Sequence, residues 1–287
     1  MCVYPVKEYK KGMNTPPPAT PTATPPFPTP PPATPTTPPL VQLRDIEVSF
    51  GRGHHRNTVL NGLNMSVRAG EVYGLLGLNG AGKSTLMSTV LGLVPYSGTV
   101  TIDGEPWQRH HLDRVGAAIN GPAFYPHLSA AHNLLVHARL TGTEPSRIDE
   151  VLNTVGLHSG TKHAKAFSTG MKVRLSLAMA LLTDPDIVLL DEPTNGLDPE
   201  AIVGLRQLLR SLADQGKAVV VSSHQLGEVE KTVDHLGVLA GGHLVYEGAL
   251  GDFASPGQSL EQAFFEAVHS ANSVRATSPT RNKGGQR

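Results

Sequence analysis

The chain has one cysteine, Cys2, among its 287 residues, which excludes an internal disulfide and leaves a free thiol in a polar tail with no catalytic role expected. It also lacks net charge: 24 Lys and Arg balance 24 Asp and Glu, and the pI is near 7.3. A bulk electrostatic pull toward nucleic acid is therefore absent, and no nucleic-acid partner is expected. No apolar run approaches the roughly 18 residues that a membrane span requires. The N-terminus has no continuous apolar stretch of the secretory type, so a cytoplasmic location is expected. Histidine is abundant, with 13 copies. However, His54–His55 and His110–His111 fall in polar segments with no cysteine or carboxylate at ligand spacing, and no metal site is expected there.

Between Thr15 and Pro39, 13 of 25 residues are proline and eight are threonine, a composition that cannot bury a core and reads as a disordered tail over residues 1–39. Met13 offers a second possible start. A globular texture runs from Leu40 to about Val268, and the polar, basic stretch 269–287 reads as another disordered tail. The globular part holds ample apolar material for a core.

Residues Gly77 to Thr85 read GLNGAGKST, with glycines that let backbone N–H groups close around phosphate oxygens. In that pattern Lys83 reaches the terminal phosphates and the Ser84 hydroxyl reaches Mg²⁺. The apolar run Val72–Leu76 before it suits a buried strand, and Ser84–Leu91 after it has helical spacing. A helix N-terminus would add its positive dipole to the site. The expected ligand is a nucleoside triphosphate.

Elsewhere, extended runs are expected at 40–50, Leu63–Val67, Ser97–Ile102, Ile187–Leu190, Ala218–Ser222 and Leu236–Leu239. Helices are expected at Ala130–Leu140, Arg147–Val155, Met171–Leu182 and Pro199–Ala213. Strands alternating with helices imply an α/β fold with a largely parallel sheet covered on both faces.

The strand in Asp186–Asp191 (DIVLLD) ends in a carboxylate where α/β sheets bind ligands. There Asp191 would hold Mg²⁺, while the next residue, Glu192, would orient and deprotonate an attacking water. Alone, such a segment is equally a strand followed by an acidic turn.

With its flanks this segment becomes LLDEPTNGLDP, which resembles the Walker B and D-loop region of ATP-binding cassette (ABC) ATPases. Further motifs follow that family's order. Phe50, in EVSFG, falls where the family stacks an aromatic on adenine, although a phenylalanine there is also an ordinary core residue. FSTGM, Phe167–Met171, stands at the signature motif: Ser168 can cap the following helix and Gly170 permits close approach of a phosphate. His224, in VVVSSHQLGEVE, matches the switch histidine expected at the γ-phosphate. Asp198, in GLDP, matches the D-loop aspartate expected to link two ATP sites.

The resemblance implies a P-loop NTPase of ABC type, with a mostly parallel core sheet, an antiparallel β subdomain and a helical subdomain inserted at roughly 120–180. It implies ATP and Mg²⁺ as cofactors. Gly77, Leu78, Asn79, Gly80, Ala81, Gly82, Lys83, Ser84 and Thr85 would form the nucleotide cradle, and Glu192 and His224 would act in hydrolysis. It further implies a head-to-tail homodimer in which one subunit's phosphate loop and the other's signature motif sandwich each ATP.

Asn120, in VGAAINGPAFYPHLSAAHNL, stands where these proteins usually carry a glutamine and is one methylene shorter. In the lantibiotic-protection and bacitracin-resistance exporters this stretch is similar, with a glutamate at that position. FSTGM resembles their FSLGMK form, and SLEQAFFEAV resembles their closing helix. The resemblance therefore implies the ATP-hydrolysing subunit of an ABC-2-type exporter of a peptide antibiotic. It would sit at the inner face of the membrane on a separate permease, docked near Phe124, Tyr125 and Leu128 unless those are plain core contacts. The alternative is a soluble or regulatory ABC protein that uses ATP binding as a clamp.

Overall fold

The computed structural model describes residues 38–277 apart from Asn120 and Pro122. The tail expected over 1–39 falls outside it except for its last two residues, as do Met13, Asn120 and residues 278–287. In chain order the elements are β1 (Val41–Phe50), β2 (Asn57–Val67), β3 (Val72–Leu76), α1 (Lys83–Val90), β4 (Ser97–Ile102), β5 (Glu105–Pro106) and β6 (Val115–Ala118). Three helices follow, α2 (Ala130–Thr141), α3 (Arg147–Thr154) and α4 (Thr169–Leu181), then β7 (Ile187–Asp191), α5 (Pro199–Asp214) and β8 (Ala218–Ser223). The chain closes with α6 (Leu226–Val229), β9 (His235–Ala240), β10 (His243–Ala249) and α7 (Leu260–Thr277).

Two sheets form. The first is antiparallel, in the order β2-β1-β4-β5, and the second runs β10-β9-β3-β8-β7-β6, parallel except for β10. All of β3 and β8 and all but the last residue of β7 are buried, as expected of parallel strands covered on both faces. In β1, by contrast, inward residues alternate until a bulge between Leu43 and Ile46, where Asp45 has φ 51°. The extra residue resets the register, so Ile46 and Val48 return to the core face. Leu86, Met87 and Val90 of α1 pack into one cluster with residues of both sheets. That packing fixes the helix that begins at Lys83, and with it the phosphate loop.

Three strands are additions to the expected pattern: β5, which is only the two-residue return after the Asp103–Gly104 turn, β6 and β10. β6 is only VGAA, too short and small-sided to show a period, and β10 leaves β9 through Gly241–Gly242, a turn the sequence displays openly. α7 also continues to Thr277, past the expected boundary at 268. Its polar last turns extend a helix anchored by buried Ala263, Phe264, Ala267 and Val268, so an end drawn from composition falls short. Among the described residues no helix is long and apolar enough to cross a membrane.

At the far end of β3 from the phosphate loop, burial pushes the carboxyls of Glu71 and Glu247 above their ordinary 4.5 and the Tyr73 hydroxyl well above its usual range. Glu247 Oε1 accepts from the Ser66 N–H at 2.6 Å and from the Tyr73 hydroxyl at 3.4 Å. An acid whose pKa is raised by folding favours the fold below its unfolded pKa, and loses that contribution as pH rises through the folded value. Glu247→Gln keeps an acceptor without the charge. Its melting temperature relative to the parent is expected to rise from pH 5 to pH 8. A pH-independent difference in thermal melts would overturn this.

Candidate functional site

The phosphate loop is wound tightly against its neighbours. A Cβ at Gly77 would lie 2.6 Å from the Leu239 carbonyl oxygen. Gly82, at φ 111°, would place one 2.9 Å from Leu60. Leu78, Asn79 and Gly80 are exposed, Ala81 is half-buried, and no side chain caps α1, so its leading N–H groups are free for an anion. Lys83 is only 6% exposed; its Nζ donates to the Gly77 carbonyl at 2.8 Å and lies 3.1 Å from Glu192 Oε1. Ser84 and Thr85 follow on the first turn, half-buried.

β7 delivers the carboxylates. Asp191 Oδ2 accepts from the Ser84 hydroxyl at 2.6 Å and Oδ1 from the Ser222 hydroxyl at 2.5 Å. Glu192 has φ 51°, in the left-handed region, which turns its side chain between Lys83 and His224. Its Oε2 lies 2.7 Å from His224 Nδ1. Oε1 is buried and has no aligned donor, so its contact with Lys83 is Coulombic and leaves an acceptor open. A hydroxyl and a carboxylate at one point form an all-oxygen donor set, which suits Mg²⁺.

Lys83, Ser84, Asp191, Glu192 and His224 thus form one connected set. The other expected residues stand on separate elements. Ser168 accepts from the Met171 N–H at 3.3 Å, capping α4 as anticipated, while Phe167 anchors the turn in the core. Asp198 caps α5 through the Ala201 N–H at 2.8 Å, a local task the motif alone did not suggest. The two segments meet: a Cβ on Gly170 would lie 3.8 Å from Leu197. Phe50 is 42% exposed at the end of β1, which leaves a ring face open. Asn120 falls outside the described residues. Its neighbours Ala118 and Gly121 line a cavity of about 330 Å³ with Thr169, Lys172, Asp191 and Glu192.

Sequence reasoning missed three residues. Ser222 holds Asp191, and its only signal was a hydroxyl near His224. Asn133, 1% exposed, exchanges hydrogen bonds with the backbone of Tyr125 at 2.7 and 3.1 Å, which leaves the Tyr125 side chain half exposed on a pinned loop. The third is His111. Contrary to expectation, a carboxylate, Glu105, approaches His110 and His111. However, His111 Nδ1 accepts the Gln108 N–H at 3.0 Å, so the ring proton sits on Nε2, facing Glu105 at 3.6 Å. A protonated Nε2 has no lone pair for a metal, and this trio closes a turn.

The family model described as ABC transporter matches residues 60–195. The lantibiotic transport ATP-binding protein SrtF of Streptococcus pyogenes is 40% identical over 210 residues, 72% of this chain and 90% of that protein. The chain belongs to the ABC transporter ATP-binding subunits. This cassette is also 45% identical over 192 residues to the bacitracin transport ATP-binding protein BcrA of Bacillus licheniformis, covering 64% of this chain and 63% of that one. A solved ATP-binding subunit of an ABC transporter superposes with TM-score 0.70 at 26% identity, over 79% of this chain and 99% of its own. A dimeric ATP-binding cassette bound to ADP and Pi, in a post-hydrolysis state, gives 0.67 at 25%, over 73% and 98%. The expected fold, a P-loop ATPase with an antiparallel β subdomain and inserted helices, is the one observed. The cassette binds and hydrolyses ATP as the ATP-binding subunit of a transporter.

Proposed function

We propose that this cassette, with residues 40–268 as its working core, energises an ABC-2-type exporter of a peptide antibiotic or similar amphiphile. The observation that carries the mechanism is the buried, open Oε1 of Glu192 beside the phosphate loop, facing Lys83 while Oε2 is held by His224. In this reading the loop and the α1 N-terminus bind the ATP phosphates, Phe50 stacks on adenine, and Lys83 neutralises the terminal phosphate. Ser84 and Asp191 would hold Mg²⁺, which would supply charge neutralisation to the phosphates. Glu192 Oε1 accepts a proton from the attacking water, and His224 orients that carboxylate and faces the γ-phosphate.

The side-chain hydrogen bonds of Ser168 and Asp198 among the described residues are helix caps, and Gly170 packs near Leu197, so these residues fit a role across a subunit boundary. Two copies placed head to tail would complete two sites. Binding of ATP would close the dimer and hydrolysis reopen it, driving a separate permease docked at the Tyr125 loop. The cassette would thereby be held at the inner face of the cell membrane. The export reading is supported by the lantibiotic and bacitracin transport relatives.

Cells deprived of the chain should become several-fold more sensitive to at least one lantibiotic- or bacitracin-like peptide in growth-inhibition assays, and resistance should return with the parent but not with Glu192→Gln. Unchanged sensitivity across a panel of such peptides would overturn the substrate class while leaving the ATPase untouched.

A further inference from the structure

Ser222 sits on β8 directly opposite Asp191 on β7 and is fully buried. Its hydroxyl proton goes to Asp191 Oδ1 at 2.5 Å, which leaves an oxygen lone pair to accept the Glu192 backbone N–H at 2.9 Å. One hydroxyl therefore ties together two consecutive carboxylates through different atoms: the side chain of the first and the main chain of the second. The backbone bond matters because Glu192 occupies the left-handed region at φ 51°, which a residue with a long side chain adopts only when its surroundings hold it. Fixing that N–H fixes the direction in which the Glu192 side chain leaves the chain. Two residues beyond Ser222, His224 grips the far end of the same side chain at Oε2. The end of β8 thus holds Glu192 at both its root and its tip, and Asp191 keeps one fixed donor whatever partner Ser84 takes.

We infer that Ser222 is a positioning residue for ATP hydrolysis, acting through Glu192. The inference rests on the reading of Glu192 as the proton acceptor, and the test separates the two.

In the full-length chain, Ser222→Ala deletes both bonds and is expected to lower kcat about 10- to 100-fold, the scale of a misplaced reacting group, while ATP affinity changes less than about threefold. Ser222→Cys has similar volume but a weaker donor and acceptor, and should fall between parent and Ala. In a Glu192→Gln background, Ser222→Ala should cause no further loss, because residues acting as a unit are not additive. Thermal melts and ATP binding accompany each variant, and the Cys variant remains the test should the Ala variant not fold. A kcat for Ser222→Cys equal to the parent's overturns the inference, as does an additive loss in the double variant. If Glu192→Gln itself turns over normally, the reading of Glu192 fails first.

Discussion

Glu192→Gln should bind ATP at least as tightly as the parent while hydrolysing it at least about 100-fold more slowly, the loss expected when a general base is removed. The substitution is nearly isosteric, so the left-handed backbone at φ 51° and its bond to Ser222 can persist. What disappears is the acceptor charge on the open Oε1 and the 3.1 Å ion pair with Lys83. Losing the first stops proton removal from water. Losing the second releases the Lys83 ammonium, which is only 6% exposed, from a competing anion. A freed cation beside the phosphate loop favours the triphosphate, so affinity should hold or rise. Nucleotide titration together with steady-state phosphate release checks both halves, and near-parental turnover would remove Glu192 from the role.

Which parts of this site the sequence displays depends on how local their causes are. GLNGAGKST is a local device: its glycines, lysine and serine stand together because a strand, a turn and a helix N-terminus need them in order, and α1 begins at Lys83. β3, β7 and β8 are likewise legible, since burial on both faces requires continuous apolar runs. The bond from Ser222 to Asp191 spans 31 residues of sequence and depends on strand pairing, which no local pattern encodes. Asn133 was hidden for another reason, because a polar residue within an apolar helical face looks like a surface position until its bonds to the Tyr125 backbone are seen. Composition misled at α7, whose polar residues past 268 continue a helix already anchored upstream. His110–His111 shows the opposite failing, since proximity of Glu105 alone suggests a metal and only the bond at Nδ1 decides the tautomer.

Lys83→Ala breaks the same ion pair from the other side and should have the opposite effect on affinity. Its Nζ now bonds the Gly77 carbonyl at 2.8 Å and lies beside Glu192, aimed across the mouth of the loop. Hydrogen bonds to charged groups contribute about 1.5–3 kcal/mol each. Losing one such contact to phosphate corresponds to roughly 10- to 150-fold in ATP affinity. Removing the ammonium also leaves the Glu192 carboxylate uncompensated next to that phosphate, which adds to the loss. Because the lysine of this motif addresses the terminal phosphates, affinity for AMP should fall far less than affinity for ATP. Lys83→Met controls for side-chain volume and should behave as Ala does. Calorimetric titration of the three proteins with ATP and AMP makes the comparison. Equal losses for both nucleotides would mean that the loop has merely been disordered, and unchanged ATP affinity would mean that Lys83 does not meet the phosphates.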